Sequence, residues 1–194
     1  MGRHITYDPV EVRRSILGAF WASGYAETSL ADLERATGLN RRQLYNGPGD
    51  KKAMFLAALE DFEAVAGRRF LAPLERDGAG VDDIAALLRA FVALAGSPEG
   101  SDGCLVCSVS QETIASDADV RPRIDAYFDR IEGAYRNALE GASRRGEIDL
   151  PSARIRAASL HLFGIHVALC VLGRAGCPAS RLSGMAEAAI DSLG

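Results

Sequence analysis

The stretch TSLADLERATGLNRRQLYNGPGDK, residues 28–51, decides the fold of this chain. Thr28 or Ser29 can cap a short helix, because a hydroxyl oxygen can accept hydrogen bonds from backbone N–H groups that have no partner within the helix. Gly38 is expected to end that helix, since glycine readily adopts the left-handed conformation found at helix ends. Asn40 can then cap a second short helix. Two short helices joined by a glycine turn indicate a helix-turn-helix DNA-binding unit.

The second helix of this unit carries long polar side chains. Leu44 is expected to face the core, whereas Arg41, Arg42 and Gln43 point outward. In the major groove, arginine pairs well with guanine and glutamine with adenine. Arg42 and Gln43 are therefore predicted to read bases, and Arg41 to read a base or bind a phosphate. The alternative is that the three side chains form an ordinary solvated helix surface.

The motifs around this unit resemble the tetracycline-repressor (TetR) family of bacterial transcriptional regulators. Upstream, VRRSILGAFWASGYAETSL predicts a helix closed by Gly24-Tyr25, and downstream, DKKAMFLAALEDFEAV predicts a helix capped by Asp50. The order helix, G-Y, T-S-L-x-x-L, T-G-L-N, L-Y and D-K extends over residues 9–65. Beyond residue 65, only the helical layout and the length support the resemblance. Pro48 differs from the family, which usually has an aromatic residue at this place.

The resemblance implies roles for further residues and a mode of action. Tyr45 and Lys51 would bind backbone phosphates, with Thr28 or Ser29 doing so at the start of the preceding helix. The protein would be a repressor of transcription that is released from double-stranded operator DNA by an effector. The last two helices, near 152–174 and 179–193, would form a homodimer as a four-helix bundle. The alternative is that both are core helices of a monomer.

Every long segment after residue 50 has the apolar periodicity of a helix. Glycine and proline clusters, among them Pro73 and residues 96–100, separate the segments. The fold class is predicted to be all-α, with an N-terminal three-helix helix-turn-helix DNA-binding domain (1–52) and a larger C-terminal helical bundle for ligand binding and dimerisation (53–194). The predicted helices of that bundle lie at 50–72, 81–95, 103–115, 118–145, 152–174 and 179–193.

Charge is unevenly distributed along the chain, whose net charge is −4. Residues 1–52 contain eight Lys/Arg and six Asp/Glu, and the remainder contains 14 Lys/Arg and 20 Asp/Glu. A mildly basic head on an acidic body favours a protein that contacts phosphate at one end only. No run approaches the roughly 18 apolar residues of a membrane span, and the N-terminus lacks the apolar core of a signal peptide. The sequence therefore predicts a cytoplasmic protein with no membrane contact.

The run Gly103-Cys104-Leu105-Val106-Cys107 is the notable feature of the predicted effector domain, 81–145. Its Gly-Cys-Leu part resembles a stretch seen in one branch of the TetR family. A cysteine near a helix N-terminus can have a lowered pKa. One hypothesis is that Cys104, alone or with Cys107, senses an oxidant or electrophile and changes the spacing of the DNA-binding heads. The alternative is that both are small buried thiols that pack like alanine.

A small-molecule effector could also bind in an apolar cavity. The candidate lining residues, which could equally fill the core, include Tyr127, His161, Phe163 and His166. Neither a metal nor a cofactor is predicted, because Cys104-x-x-Cys107 is only half of a zinc pattern. The competing interpretations are a helical-bundle enzyme and an adaptor that binds protein only. The sequence has no phosphate loop, G-x-S-x-G or H-E-x-x-H to support an enzyme, and an adaptor would leave Arg41, Arg42 and Gln43 unexplained.

Overall fold

The computed structural model describes residues 7–95, 97, 100 and 102–193. Within these ranges the chain is helical and contains no β-strand. The prediction of an all-α fold is therefore confirmed. The α-helices are α1 (Pro9–Glu27), α2 (Leu30–Thr37), α3 (Arg41–Asn46), α4 (Lys51–Ala66), α5 (Ala72–Glu75), α6 (Val81–Ala95), α7 (Leu105–Val109), α8 (Arg121–Arg144), α9 (Ser152–Arg174) and α10 (Ala179–Asp191).

Capping side chains set the ends of the short helices in the head, α1 to α3. Ser29 caps α2 and Asn40 caps α3, each by a reciprocal pair of hydrogen bonds with the residue three positions later. Gly38 ends α2 in the left-handed conformation, with φ of 70°. Asp50 caps α4 by accepting a hydrogen bond from the backbone N–H of Ala53. The predicted cap and turn positions are confirmed, and Ser29 is the capping residue of the Thr28–Ser29 pair.

Aromatic packing joins α1 to α4. The ring of Phe20 meets the edge of Phe55 at a centroid distance of 5.2 Å, and Trp21 meets Phe62 at 4.9 Å. Because α4 runs from the head into the body, the same helix completes the head's core and supports the body. The predicted domain boundary between residues 52 and 53 falls inside α4 and stays a prediction.

The helix predicted at 50–72 is longer and less regular than the sequence indicates. After α4 the chain forms one π-helical turn, Gly67–Leu71, and continues as α5. Pro73 lies in the first turn of α5, so the prediction that it ends the helix was wrong. The wider π turn changes the hydrogen-bond register directly before Pro73, whose ring and missing N–H a regular α-helix would not accommodate.

The single helix predicted at 103–115 was also wrong. The chain forms the short helix α7 and then a 3₁₀ turn, Thr113–Ser116. Two polar side chains bind a backbone carbonyl that a continued helix would use. The hydroxyl of Ser110 and the amide of Gln111 both donate to the carbonyl of Cys107. Such local hydrogen bonds favour turns over continued helix.

The body consists of α6, α8, α9 and α10, packed against one another. The observed bounds of α6 and α9 match the predicted 81–95 and 152–174. α8 begins at Arg121 instead of 118, because Pro122 lies in its first turn, where its missing N–H costs nothing. The predicted break at 96–100 lies largely outside the described residues.

One helix of the body, α9, is long and apolar enough to cross a membrane by length and composition alone, with a mean hydropathy of 1.7. The sequence-based expectation that no stretch approaches this level was therefore wrong. A core helix of a globular protein passes the same test. Ile155, Leu162 and Leu169 on α9 are buried in this fold.

Two glycines provide a matched test of the helix-turn-helix geometry. Replacing Gly38, at φ +70°, by alanine should lower the free energy of unfolding by about 1 kcal/mol, because a side chain disfavours this conformation. Replacing Gly18, which lies within α1, should raise it by about 0.5–1 kcal/mol. A Cβ at either position has no neighbour within 4 Å, so backbone conformation alone distinguishes them.

Urea unfolding of the two variants and the wild type measures both effects. If the free energy of unfolding changes with the same sign in Gly38→Ala and Gly18→Ala, the turn assigned at Gly38 is contradicted.

Candidate functional site

The open surface of α3 is cationic and aromatic. Arg41, Arg42 and Tyr45 are exposed, whereas Leu44 is fully buried. Arg41 and Tyr45 are four positions apart, so they lie on the same side of the helix. The cap Asn40 is also exposed. Of the side chains predicted to meet DNA from this helix, Arg41, Arg42 and Tyr45 are therefore open to solvent, and Gln43 is partly so.

Gln43 has a structural role besides its predicted role in base reading. Its side-chain oxygen accepts a hydrogen bond from the backbone N–H of Asn40 at 3.0 Å. Its own backbone N–H donates to Oδ1 of Asn40, also at 3.0 Å. A bidentate contact with adenine uses both ends of the amide, so base reading would compete with the first of these bonds for the side-chain oxygen.

The residues before α2 differ in accessibility. Thr28 is buried, and its hydroxyl donates to the backbone oxygen of Gly24 at 2.6 Å. Ser29 is exposed at the start of the helix. Thr28 is therefore held in the core, and only Ser29 of the predicted pair is open to a phosphate.

The turn between α3 and α4 positions Lys51. The backbone N–H of Gly49 donates to the carbonyl of Leu44 at 2.8 Å, which folds the chain back past the half-buried Pro48. The ammonium of Lys51 then lies 4.4 Å from the centre of the Tyr25 ring. This cation–π contact orients the charge at the start of α4.

A small internal cavity of about 80 Å³ lies where α4, α6, α8 and α9 meet the segment before α7. Of the predicted effector residues, Cys104, Tyr127 and His166 line it. Its walls are largely apolar. The lining also includes Trp21, Phe62, Phe70, Phe91, Leu169 and Cys170.

Two predicted effector residues do not reach this cavity. His161 is exposed on α9, and Phe163 packs edge-on against Phe128 with ring centroids 5.5 Å apart. A spacing of five residues turns His161 away from the side of the helix that His166 occupies. His161 and Phe163 therefore do not line this cavity. Cys107 does not line the cavity but lies buried beside Cys104.

Sequence reasoning missed Cys170, which joins Cys104 and Cys107 in one cluster of three thiols. Hydrogen bonds from Cys107 and Cys170 hold the pKa of Cys104 well below its usual value. The hydrogen bonds with Cys104 raise the pKa of the other two thiols. One feature of the sequence could have indicated Cys170. It lies four residues after His166, so the two side chains share one side of α9. No group of His, Cys, Asp and Glu suited to a metal ion occurs among the residues described.

His166 forms part of a buried polar contact at the cavity. Its Nδ1 lies 3.2 Å from the hydroxyl of Tyr135, and its ring lies 4.5 Å from that of Phe91. Burial lowers the pKa of His166 to about 4. The imidazole is therefore neutral at physiological pH.

Comparison with known proteins identifies the fold. No family model matches the chain. The chain is 25% identical over 197 residues to the HTH-type transcriptional regulator YezE of Bacillus subtilis (strain 168), with all of both sequences covered. The TetR family regulator CifR, solved as a cysteine mutant with 26-bp double-strand operator DNA, matches with a TM-score of 0.85 at 25% identity, and both chains are covered completely. A TetR regulator from Chloroflexus aurantiacus gives 0.80 at 25% identity, covering 95% of this chain and 94% of its own. The chain has the fold of the TetR-type transcriptional regulators.

The TetR-type head is attached to the body next to the thiol cluster. The indole N–H of Trp21 donates to the carbonyl of Gly103 at 2.9 Å. The guanidinium of Arg174, at the end of α9, donates to the carbonyls of Trp21 at 3.1 Å and Ala22 at 2.7 Å. It also donates to the carbonyl of Asp102. Residues just before Cys104 and just after Cys170 thus hold α1 at Trp21 and Ala22.

Two further polar contacts attach the TetR-type head to the segment after α7. The carboxylate of Glu112 accepts hydrogen bonds from the backbone N–H groups of Tyr25 at 3.1 Å and Ala26 at 2.6 Å. Lys52 forms ion pairs with Asp117 at 2.8 Å and Asp119 at 2.7 Å. The segment 102–119 therefore contacts both the cavity and the head.

Protonation of His166 should make stability depend on pH. The unfolded chain binds the proton near the ordinary pKa of 6.5, and the folded chain only near about 4, so this contribution is present above pH 6.5 and is lost as the pH falls toward 4. Between pH 7.5 and 4.5 the loss should be about 2–3 kcal/mol, since one pKa unit corresponds to 1.36 kcal/mol. Urea unfolding at the two pH values measures it.

Between the two pH values, the loss of stability of His166→Gln should be smaller than that of the wild type by about 2–3 kcal/mol. His161→Gln, on the exposed side of α9, should lose as much stability as the wild type. An equal loss in the wild type and in His166→Gln would show that His166 does not titrate as described.

Proposed function

We propose that the protein is a homodimeric repressor that binds double-stranded operator DNA through α2 and α3 and is released by an effector. The observation that carries this proposal is the exposed surface of Arg41, Arg42 and Tyr45 on α3, within a basic head attached to an acidic body. The similarity to CifR, which was solved with operator DNA, supports it. The relatives reported above are all described as transcriptional regulators, which favours this function over an enzyme.

The proposed contacts divide into base reading and phosphate binding. Arg42 is the proposed reader of guanine, with Gln43 and Arg41 beside it, because the N-terminal residues of a recognition helix reach base edges in the major groove. Phosphate contacts hold the head in register without reading sequence. Their proposed residues are Ser29, Asn40, Tyr45 and Lys51.

The proposed homodimer forms through α9 and α10. A single chain buries only 28% of the most apolar 18-residue stretch of α9. Leu160 on this helix is 44% exposed. Apolar area left open on one chain is stabilised when a second copy covers it. Two heads held in this way can reach successive major grooves, which are about 34 Å apart.

The proposed effector acts at the cavity beside Cys104, as an apolar ligand or as an oxidant or electrophile that modifies the thiol. Its signal would reach the head through Gly103 and Trp21, because the carbonyl next to Cys104 accepts the indole hydrogen bond. A shift of this segment would tilt the end of α1 and change the separation of the recognition helices. A regulator that acts on DNA in this way belongs in the cytoplasm, and we propose residues 1–52 and 53–194 as its two domains.

Replacing Arg42 by alanine should weaken binding to the operator by about 1–3 kcal/mol, the usual value of a bidentate contact with guanine. The operator is a duplex selected from random sequence with the wild-type protein, and affinity is measured by fluorescence anisotropy. Arg144→Ala changes the net charge equally at the exposed end of α8 and should leave the affinity unchanged.

Lys51→Met should weaken binding to all duplexes alike and reduce the slope of log affinity against log salt by about 1. If Arg42→Ala and Arg144→Ala lose equal affinity, or if the wild type selects no duplex, the proposed operator reading is wrong.

Replacing Trp21 by phenylalanine should uncouple the cavity from the head. The ring remains, but the hydrogen bond to Gly103 is lost, and such a bond contributes about 1 kcal/mol. The unmodified variant should bind the operator as the wild type does, whereas the loss of affinity caused by N-ethylmaleimide should be about fivefold smaller. The measurement compares operator affinity before and after alkylation, with Cys104→Ser as the unreactive control. An unchanged ratio in Trp21→Phe would contradict this route.

A further inference from the structure

Three thiols from two separate segments meet at the cavity. Cys104 precedes α7 and Cys107 lies within it, whereas Cys170 comes from α9. Each of the three thiols has its pKa shifted by the other two, so their side chains lie close together. The backbones are also close, because a Cβ placed on Gly103 would lie 3.1 Å from the carbonyl oxygen of Cys170. The chain directly before Cys104 therefore approaches the backbone of Cys170 closely.

The three cysteines are not equivalent. Cys104 is the hydrogen-bond acceptor of the cluster, which holds its pKa well below the usual value, while the pKa of Cys170 is raised. Cys104 and Cys170 both line the cavity, and Cys107 lies behind them. A thiolate is the reactive form of cysteine. Cys104 is thus the candidate nucleophile, and Cys170 is the other thiol that faces the same space.

We propose that Cys170 is the resolving partner of Cys104, so that an organic hydroperoxide converts the pair into a disulfide between α9 and the residue before α7. This proposal rests on the proposed function for its regulatory meaning. The thiolate of Cys104 attacks the outer peroxide oxygen, the O–O bond breaks, and the alkoxide takes up a proton and leaves as an alcohol. The sulfur of Cys170 then attacks the sulfenic acid of Cys104, and the hydroxide leaves as water with the proton of Cys170.

The shape and chemistry of the site select the oxidant. The cavity holds only a small molecule, and its walls at Trp21, Phe62 and Phe91 favour an apolar group over a charged one. An outer groove of about 500 Å³ shares Arg69, Phe70 and Leu94 with the cavity, so the solvent-exposed groove lies directly beside it. A small alkyl or aryl hydroperoxide fits these conditions.

The choice of Cys170 over Cys107 has a structural consequence. Cys107 lies three residues from Cys104, so a bond between them would stay within one turn. A bond to Cys170 joins the two segments that hold α1, since Gly103 accepts the indole N–H of Trp21 and Arg174 binds the carbonyls of Trp21 and Ala22. A covalent bond between these two segments would therefore act on both anchors of α1 at once.

Peptide mapping without reduction, after treatment with tert-butyl hydroperoxide, tests the pairing directly. The wild type, Cys107→Ser and Cys177→Ser should each yield a Cys104–Cys170 peptide that dithiothreitol cleaves. Cys177 is the matched control, because it is a half-buried cysteine that does not line the cavity. In Cys170→Ser, the sulfenic acid of Cys104 should persist and react with dimedone. A Cys104–Cys107 peptide in the wild type, or no oxidation of Cys104, would overturn the proposal even if a variant fails to fold.

Operator affinity of the same samples separates this proposal from the proposed function. Oxidation should weaken binding of the wild type by about 5–150-fold, the common range of an allosteric coupling, and Cys170→Ser should keep its affinity. If the reduced wild type binds no operator, the proposed function fails while the mapping result stands. If Cys170→Ser is released by hydroperoxide as the wild type is, the resolving role is wrong while DNA binding stands.

Discussion

α1 breaks at Gly24, and Glu112 binds the two backbone N–H groups that the break leaves open. The rest of the structure depends on this contact. Gly24 has φ of 78°, so the helix is interrupted and the backbone N–H groups of Tyr25 and Ala26 lose their partners in the helix. The carboxylate of Glu112 accepts both hydrogen bonds. A side chain on Gly24 would collide with that carboxylate. Leaving two such N–H groups without a partner would be costly, so the head cannot leave the segment 102–119 without losing these bonds.

This attachment explains how a chemical event in the body can reach the proposed DNA-binding surface. The segment 102–119 includes Cys104 at one end and the carboxylates that pair with Lys52 at the other. Between them lies Glu112, which holds the end of α1. Head and cavity therefore share one piece of chain, and α4 gives them a common support. A displacement of that segment changes the position of α1, on which α2 packs, and α3 packs on α2 in turn.

The sequence predicted most of the head, because its structure depends on local signals. The caps at Ser29 and Asn40 and the turn at Gly38 follow from neighbouring residues alone. The candidate effector site was predicted only in part, because the residues around the cavity come from distant segments. Cys170 reaches Cys104 only after α9 packs on α7, and His161 is turned away by the packing of its helix. The 103–115 segment was misjudged because Ser110 and Gln111 bind the main chain, a competition that apolar periodicity does not reveal.

Hydrogen exchange at the amides of Tyr25 and Ala26 tests the central claim most directly. The claim is that the chemistry at Cys104 is transmitted to the head through the segment that holds α1. Exchange is followed by mass spectrometry on the reduced protein and on the protein treated with tert-butyl hydroperoxide. The account predicts that both amides are protected in the reduced protein and exchange faster after oxidation, while amides in the middle of α8 are unchanged. Equal protection of the two amides in both states would contradict it.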